Sequence, residues 1–505
     1  MSMPAEQLPT SLTLADLLQG IAAAPAVPIK GIASDSRLLG DGDLFLACSG
    51  LSSHGIDFVD DALAAGVGAI AYDSATADAT DLALDIPLIA VPHLGDHLGT
   101  IANRFYATPS ALVKTVGITG TNGKTTVAWL IAQCLERLQQ PCGYIGTLGH
   151  GLGQVQSGEG LMTTPDVIEL HADLASFRDA GAEFAAVEVS SHALEQRRVN
   201  GVNFDTVMFT NLSRDHLDYH GDMQAYGETK ARLFTQYPAK HRIINLDSEF
   251  GAELAARCGQ DVVTVSTNFD RVANGRPYVF VRSVVANASG SQVKVGTSWG
   301  EGAFELPLPG DFNVANAAIV LAFLLTQGIP MELACAKLGQ VDAPPGRMQR
   351  VAAPAGTPAV YVDYAHTPDA LNAALRALRA HCKGRLWCVF GCGGERDAGK
   401  RPQMGRIAER RADRTVITND NPRGEAPAEI IADIITGMTR ADRVTVVEDR
   451  AAAIAWAIRE AGTKDTILIA GKGHENYQLI GDERREFADY GAAAINLAAA
   501  AERGA

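Results

Sequence analysis

The chain has 505 residues, 47% apolar and 20% charged, with a formal net charge of −15. This composition allows large cores and argues against general disorder, and the acidic balance disfavours a nonspecific nucleic-acid binder, which needs a basic surface. No run of about 18 apolar residues is present, so no membrane-spanning helix is expected; local Lys, Arg and backbone N–H groups can still bind anionic small molecules.

At about 150 residues per domain, the length predicts roughly three domains. The opening stretch "MSMPAEQLPTSLTLADLLQG" has neither a basic start nor a long apolar core, so it does not read as a secretory leader. Residues 1–100 carry short apolar runs such as "DLFLACSG" and "GVGAIAYD" between Gly and Asp turns, which predicts a small α/β domain. From about Lys114 the texture changes to apolar strands followed by long helices. "VKTVGITG" precedes "KTTVAWLIAQCLERLQQ", whose apolar positions recur at helical spacing. "EFAAVEVS", "FDTVMFTN" and "HRIINLD" continue the strand pattern, and "PYVFVRSVVANASGSQVKVGTSWGEGAFELPL" reads as β-hairpins.

Helical "NVANAAIVLAFLLTQG" and "PMELACAKLGQ" follow, then a linker at "VDAPPGRMQR", where two prolines and a glycine cannot continue a helix. A second alternation comes next: "AVYVDYA", "RLWCVFG", "RTVITN", "RVTVVE" and "TILIAG". The expected domains are residues 1–100, 101–343 and 344–505. Strands alternating with helices imply mostly parallel sheets with ligands at the strands' carboxyl ends. The Ala-rich tail predicts a terminal helix. The eight cysteines, 48, 134, 142, 258, 335, 382, 388 and 392, show no C-x-x-C pairing and read as reduced thiols.

The strongest local signal for chemistry is "GITGTNGKTT", Gly117 to Thr126, between a strand and a helix. Small residues let backbone N–H groups curl around phosphate oxygens at the positive end of a helix, Lys124 reaches the outer phosphates and Thr125 holds Mg²⁺. Ile118 stands where the usual G-x-x-x-x-G-K-[ST] pattern has its first glycine, which leaves Gly120-x-x-Gly123-Lys124-Thr125. Nucleotide binding is the expectation.

Other residues are ambiguous taken singly. Glu188 and His216 each follow an apolar strand and suit either a magnesium site or an ordinary hydrogen-bonded strand end. Lys230 in "YGETKARLF" reads by spacing alone as a solvated helix face. Asn313 and Asn316 offer amides to an adenine edge or an N-cap to the following helix. Arg347 and Asp363 fit nucleotide contacts or a surface ion pair, and Ser36 a ligand contact or a plain turn. "TNDNPRGEAP" places a carboxylate, an amide and a guanidinium on a short turn, where Pro422 breaks regular structure.

Taken together the motifs are more specific. "TGTNGKTT", "EVSSHAL", "NLSRDHLDYH", Lys230 fourteen positions after His216, "PGDFNVANAA", "PPGRMQR", "VDYAHTPDAL", "VFGCGGERDAGKRPQMG", "DNPR" and "GKGHE" occur in one order across nearly the whole chain. They resemble the ATP-dependent Mur ligase family of peptidoglycan synthesis. The resemblance implies a small uridine-binding α/β domain, a central P-loop ATPase-like domain with added hairpins, and a Rossmann-like amino-acid-binding domain. It implies ATP contacts at Gly120, Thr121, Asn122, Gly123, Lys124, Thr125, Thr126, Asn316, Arg347 and Asp363. Catalytic roles fall to Lys124, Glu188, His216 and Lys230, with Thr125, Glu188, His216 and a carbamate on Lys230 serving Mg²⁺. CO₂ adding to a neutral Lys230 amine supplies the oxygen ligand that magnesium prefers.

The resemblance also places a UDP-muramoyl-dipeptide against Ser36, Thr163, Thr164, Ser190, Gln196 and Arg198. Relatives more often carry a proline before Gly42, so only that loop's shape departs from the pattern. The implied reaction is ATP-dependent amide formation on the D-glutamyl γ-carboxylate through an acyl phosphate, in the cytoplasm and by a monomer. The incoming amino acid is meso-diaminopimelate or L-lysine, and D-N-P-R resembles the diaminopimelate type. Arg423 and Arg396 suit the distal carboxylate, Asp420 and Glu475 the ammonium, Asn421 either, and Gly471 permits close approach. Rival readings are a lysine-adding relative, a folylpolyglutamate synthase (disfavoured by "SDSRLLGDGDLFLACSG", which resembles a uridine motif), and a regulatory P-loop NTPase that needs no acceptor.

Overall fold

A computed structural model describes residues 12–50, 53–153, 162–271, 275–287, 290–440 and 444–504. The reading that the chain opens without a leader falls largely on residues 1–11, outside the described residues. By contacts the chain divides into two compact units. One holds Met1–Lys124, Leu135–Arg242 and Ala256–Gly259; the other holds Thr125–Cys134, Ile243–Ala255 and Gln260–Ala505. Residues of the expected 101–343 segment contribute to both.

The first unit opens with four parallel strands in sequential order, β1 (Ile32–Ala33), β2 (Leu44–Ala47), β3 (Ala69–Asp73) and β4 (Leu88–Val91). Leu14, Leu17, Leu44, Leu46 and Ile101 form its core, with Val167 and Ile168 packed in. A second sheet follows from β5 (Lys114–Thr119), β6 (Cys142–Gly146), β7 (Gly149–Leu152), β8 (Phe184–Glu188) and β9 (Phe204–Phe209), in the order β9-β5-β8-β6-β7. All its pairings are parallel except β6 with β7. β5, β6, β8 and β9 are almost wholly buried, which explains their near-continuous apolar runs. β10 (Ala239–Asn245) carries the chain onward.

In the second unit β11 (Val262–Ser266) pairs parallel with β12 (Tyr278–Ala286). The expected hairpins are β12, β13 (Ser291–Thr297) and β14 (Gly300–Leu306), paired antiparallel. A further sheet is built from β15 (Gln349–Arg350), β16 (Ala359–Asp363), β17 (Leu386–Phe390), β18 (Arg414–Ile417), β19 (Val444–Val446) and β20 (Thr466–Ala470), in the order β15-β16-β20-β17-β18-β19. Leu386, Cys388 and Phe390 pack into one apolar cluster while Trp387 and Val389 pack into another, so helices cover both faces at the two-residue period of a strand. Every strand of this sheet after β15 is parallel to its strand neighbours among β16–β20. The loops leaving β16, β17, β18 and β20 therefore emerge at one edge, where open α/β sheets bind ligands. A small hairpin, β21 (Tyr477–Ile480) with β22 (Glu483–Glu486), follows, and the Ala-rich tail forms the helix Asp489–Gly504. Among the described residues no disulfide joins any of the eight cysteines, and no helix is long and apolar enough to cross a membrane.

Candidate active site

The phosphate loop leaves β5 at Thr119 and enters the helix Lys124–Glu136. Gly120 at φ +147° and Gly123 at φ +88° lie where L side chains are strained. A methyl group on Gly120 would also fall 2.0 Å from Thr210 Oγ1, so the position has no room for a side chain. The segment leaving β9 braces the loop. Thr210 Oγ1 donates to Asn122 O at 2.6 Å, and the Thr121 and Asn122 amides donate to Asn211 O and Oδ1 at 2.9 and 3.0 Å. Lys124 Nζ folds back onto Gly120 O and Thr121 O at 3.0 and 2.9 Å. Thr125 and Thr126 are buried in the first turn of the helix.

Lys230 corrects the solvated-face reading. It sits in the helix Met223–Thr235, capped by Asp222, yet is only 1% exposed. Its Nζ donates to Gly120 O at 2.9 Å, the carbonyl that Lys124 also uses, and lies 4.4 Å from the Tyr226 ring centre. Burial, reinforced by the Lys124 charge and only partly opposed by Asp215, pushes its pKa well below the lysine norm. Helical spacing identifies a face but cannot say that a neighbouring loop covers it.

Glu188, the last residue of β8, is fully buried. Its Oε1 accepts from Tyr144 Oη at 2.5 Å and from the Thr147 amide at 3.0 Å. Thr164 Oγ1 donates to the Glu188 carbonyl at 2.8 Å and accepts from the Ser190 amide at 3.1 Å. Thr163 Oγ1 is 3.2 Å from Thr147 Oγ1. Arg198 donates through Nη1 to Thr164 O and through Nε to Gln196 Oε1, both at 2.9 Å. The structure thus gathers Thr163, Thr164, Ser190, Gln196 and Arg198 around the end of β8. Ser36 lies instead on a 3₁₀ turn whose cap is Asp35, which accepts from the Arg37 amide and side chain.

His216 holds a left-handed backbone at φ 51°, with Nε2 3.5 Å from Asp215 Oδ2 and the His192 ring edge-on to it. Among the described residues no three His, Cys, Asp or Glu side chains form a ready-made cation cage. Magnesium keeps waters and binds through one or two carboxylates plus nucleotide phosphates. A buried carboxylate beside threonine hydroxyls is a donor set that fits it.

Asn313 and Asn316 are buried in the helix Asp311–Thr326, whose N-cap is Gly310 without a side-chain bond. Asn313 Nδ2 donates to Pro309 O at 2.8 Å, and Asn316 Nδ2 is 3.5 Å from Asn313 Oδ1, a weak contact. Neither caps the helix, so the capping alternative fails. Among the described residues the surface ion pair expected as an alternative for Arg347 and Asp363 is also not found. Arg347 stacks 4.5 Å over the Tyr364 ring with a buried, unpartnered Nε. Asp363 accepts from the Met348 and Ala365 amides at 2.7 and 2.9 Å, and burial raises its pKa against the pull of Arg347.

The turn "DNPR" follows β18, and "GKGHE" follows β20. Asn421 Nδ2 donates to Glu475 Oε2 at 2.9 Å, while its Oδ1 accepts from Lys472 Nζ and the Leu479 amide at 2.9 and 3.0 Å. Lys472, fully buried, also donates to Glu475 Oε2 at 2.8 Å. Arg423 has a left-handed backbone at φ 53°, pinned by its amide to Leu479 O and by the Gly481 amide to its own carbonyl. Its Nη1 donates to Gly394 O at 2.9 Å. Asp420 is buried, and Gln478 Nε2 donates to its carbonyl at 2.8 Å. Asp420, Asn421, Arg423, Gly471 and Glu475 are thus one neighbourhood. Arg396 is exposed, 3.5 Å from the carbonyl of its neighbour Glu395, outside this network.

Sequence reasoning missed Lys472, whose only signal was its place inside "GKGHE", and Arg401. Arg401 is buried within a strongly polar helix and clamps Glu425 Oε2 at 2.8 Å and Asp433 Oδ2 at 2.9 Å. At Gly471, φ is +118° and a methyl group would fall 2.4 Å from Asp420 Oδ2. Gly471→Ala is expected to cost about 1–3 kcal/mol of stability through backbone strain and its clash with the Asp420 carboxylate, as urea unfolding would report.

Three family models match the chain in sequence. They are the Mur ligase family catalytic domain at residues 28–106, the Mur ligase middle domain at 118–324, and the Mur ligase glutamate ligase domain at 346–473. The chain belongs to the Mur ligase family. This Mur ligase is 46% identical over 469 residues to the UDP-N-acetylmuramoyl-L-alanyl-D-glutamate–2,6-diaminopimelate ligase of Coxiella burnetii, covering 92% of the chain and 94% of that protein. It is 46% identical to the Pseudomonas aeruginosa protein of the same name over 473 residues, 93% of the chain and 95% of the relative. A solved structure described as a UDP-N-acetylmuramoyl-L-alanyl-D-glutamate–2,6-diaminopimelate ligase superposes with a TM-score of 0.72 at 33% identity, covering 97% of this chain and 99% of that one. A Mycobacterium tuberculosis folylpolyglutamate synthase, at 20% identity and a TM-score of 0.60, covers 74% of this Mur ligase and 92% of its own chain and shares the fold.

Proposed function

We propose that this Mur ligase adds meso-diaminopimelate to the D-glutamyl γ-carboxylate of UDP-N-acetylmuramoyl-L-Ala-D-Glu, with ATP converted to ADP and phosphate. The observation that carries the reading is the neighbourhood of Asp420, Asn421, Arg423 and Glu475, which offers acceptors and a guanidinium together. Diaminopimelate ends in a carboxylate and an ammonium, whereas lysine ends in an ammonium alone. Arg423 pairs with the carboxylate, and Asp420 and Glu475 accept from the ammonium. Lys472 ties Asn421 and Glu475 together in one arrangement. Arg396, exposed beside this cluster, offers the carboxylate a second guanidinium.

A carboxylate is a poor electrophile, so the γ-phosphoryl group of ATP passes to it and ADP leaves. The amine then attacks the acyl phosphate, its proton is lost, and phosphate departs from the tetrahedral intermediate. The backbone amides of Gly120, Thr121, Asn122 and Gly123, with Lys124, hold the phosphates, and positioning and charge supply most of the rate. Thr125, Glu188, His216 and a carbamate on Lys230 would hold Mg²⁺, which would neutralise charge on the transferring phosphates. Asn316 reads adenine, with Arg347 and Asp363 completing the nucleotide contacts and Thr126 the loop. Ser36 serves the uridine diphosphate end, and Thr163, Thr164, Ser190, Gln196 and Arg198 serve the muramoyl-dipeptide. Segments 1–100, 101–343 and 344–505 divide these tasks as sugar-nucleotide, ATP and amino-acid domains of a cytoplasmic monomer engaged in cell-wall synthesis.

Lys230 supports the carbamate assignment by its chemistry. Burial and the Lys124 charge shift the amine toward its neutral form, the one that attacks CO₂; the N–C bond forms with loss of one amine proton to solvent, and the carbamate anion replaces repulsion from Lys124 with attraction. The decisive experiment is an amino-acid panel with the UDP-muramoyl-dipeptide and ATP, read by product mass. Diaminopimelate is expected to give the tripeptide with stoichiometric phosphate release. Equal product from lysine would refute the specificity, and phosphate release without any acceptor would favour a regulatory NTPase.

A further inference from the structure

The largest fully buried side chain in the described residues belongs to Arg450, at the start of the helix Arg450–Glu460. Its Nε and Nη2 grip the two oxygens of Asp489 at 2.7 and 2.8 Å, and Asp489 is itself fully buried at the head of the last helix. Two further donors go to two backbone carbonyls. Nη1 reaches Asn419 O at 3.0 Å, and Nη2 reaches Ala470 O at 2.9 Å. Asn419 immediately precedes Asp420, and Ala470 immediately precedes Gly471. One guanidinium therefore holds the roots of both loops assigned above to the incoming amino acid.

Stability alone explains this pair poorly. Taking two charges out of water is costly, and well-packed apolar replacements of a buried ion pair are often as stable or more so. The planar fork of arginine, with five donors in fixed directions, is however well suited to holding a carboxylate and two carbonyls at set distances at once. Its charge also lies close enough to Asp420 and Glu475 for both carboxylates to favour the charged guanidinium. The helix that supplies Arg450 is tied to the same place, since Glu448 O accepts from the Asn419 amide and from Thr418 Oγ1, both at 3.1 Å.

We propose that Arg450, oriented by Asp489, is a positioning residue for the incoming amino acid. It sets the spacing between the loop carrying Asp420 to Arg423 and the loop carrying Gly471 to Glu475, without touching the substrate. The proposal rests on the assignment of those loops to the amino acid. Arg450→Lys keeps the charge but cannot reach Asp489 and both carbonyls in the same plane; Asp489→Asn keeps the shape but loses the charge that orients the guanidinium.

The test is steady-state kinetics of Arg450→Lys, Asp489→Asn and the double variant Arg450→Met/Asp489→Leu, each with a thermal melt and with KM measured for all three substrates. Each folded variant is expected to raise the amino-acid KM about tenfold or more, the scale of one lost charged hydrogen bond. KM for ATP and for the sugar nucleotide should stay within about twofold, a margin smaller than one such bond. The double variant, with no unpaired buried charge, should melt near the wild type and still show the raised KM. An unchanged amino-acid KM in any folded variant, or equal rises for all three substrates, overturns the proposal. The wild-type panel separates the two ideas. If the wild type rejects diaminopimelate, the substrate assignment falls, and the positioning role is read in the KM of the amino acid that is accepted.

Discussion

Replacing Lys230 with alanine is expected to lower turnover about 10²- to 10³-fold, the scale of removing one group that stabilises transition-state charge. Added bicarbonate should not restore it, because the amine that would take up CO₂ is gone. Full activity of Lys230→Ala would sink the assignment. Stability offers a second readout with a definite sign. Burial and Lys124 lower the amine's pKa below 10.5, so the folded state binds its proton less readily than the unfolded chain. The cost of burying the amine is therefore complete below the lowered pKa and fades as pH rises toward the ordinary value. In bicarbonate-free buffer, Lys230→Met is expected to raise Tm at neutral pH, with the gain shrinking as the buffer becomes more alkaline. Bicarbonate should raise the Tm of the wild type alone, since only its folded state presents the reactive amine.

The Arg423→Ala variant is expected to raise KM for diaminopimelate about 10- to 100-fold, the range for losing one or two charged hydrogen bonds. KM for ATP should be nearly unchanged. The backbone makes this a clean experiment, because the Arg423 amide and carbonyl are both tied to the Leu479–Gly481 segment whatever side chain is present. Arg423→Lys keeps a point charge but loses the planar fork and should fall between the two. An unchanged KM for diaminopimelate in Arg423→Ala would remove the guanidinium from the site. A gain of lysine use in the same variant would instead show that Arg423 selects as well as binds.

Much of the fold was legible because strands and helices are written in local periodicity. β5 and the helix after it, the hairpins β12 to β14, and the alternation β16 to β20 all lie where apolar spacing placed them. The phosphate loop was legible for a similar reason: its glycines, lysine and threonine are neighbours in the chain. Lys230 and Arg450 were not. Each occupies a helix, where spacing alone gives no sign that a cation is covered, yet each is buried by segments far away in sequence. Arg401 on its helix and Lys472 on its loop are likewise buried by distant segments. Asn313, Asn316, Arg347 and Asp363 were singled out, but their local alternatives, a cap and a surface ion pair, could be dismissed only with neighbours in place.

The sequence by itself determined the order of elements, the chemistry available in each loop and, through its ordered motifs, the family. Tertiary structure alone decided which cations are buried, that Lys124 and Lys230 share the Gly120 carbonyl, and that one guanidinium holds the roots of two loops. The division has a physical cause. Secondary structure follows from interactions a few residues apart, whereas burial, and with it the pKa and hydrogen bonding of a side chain, depends on which distant segments fold against it.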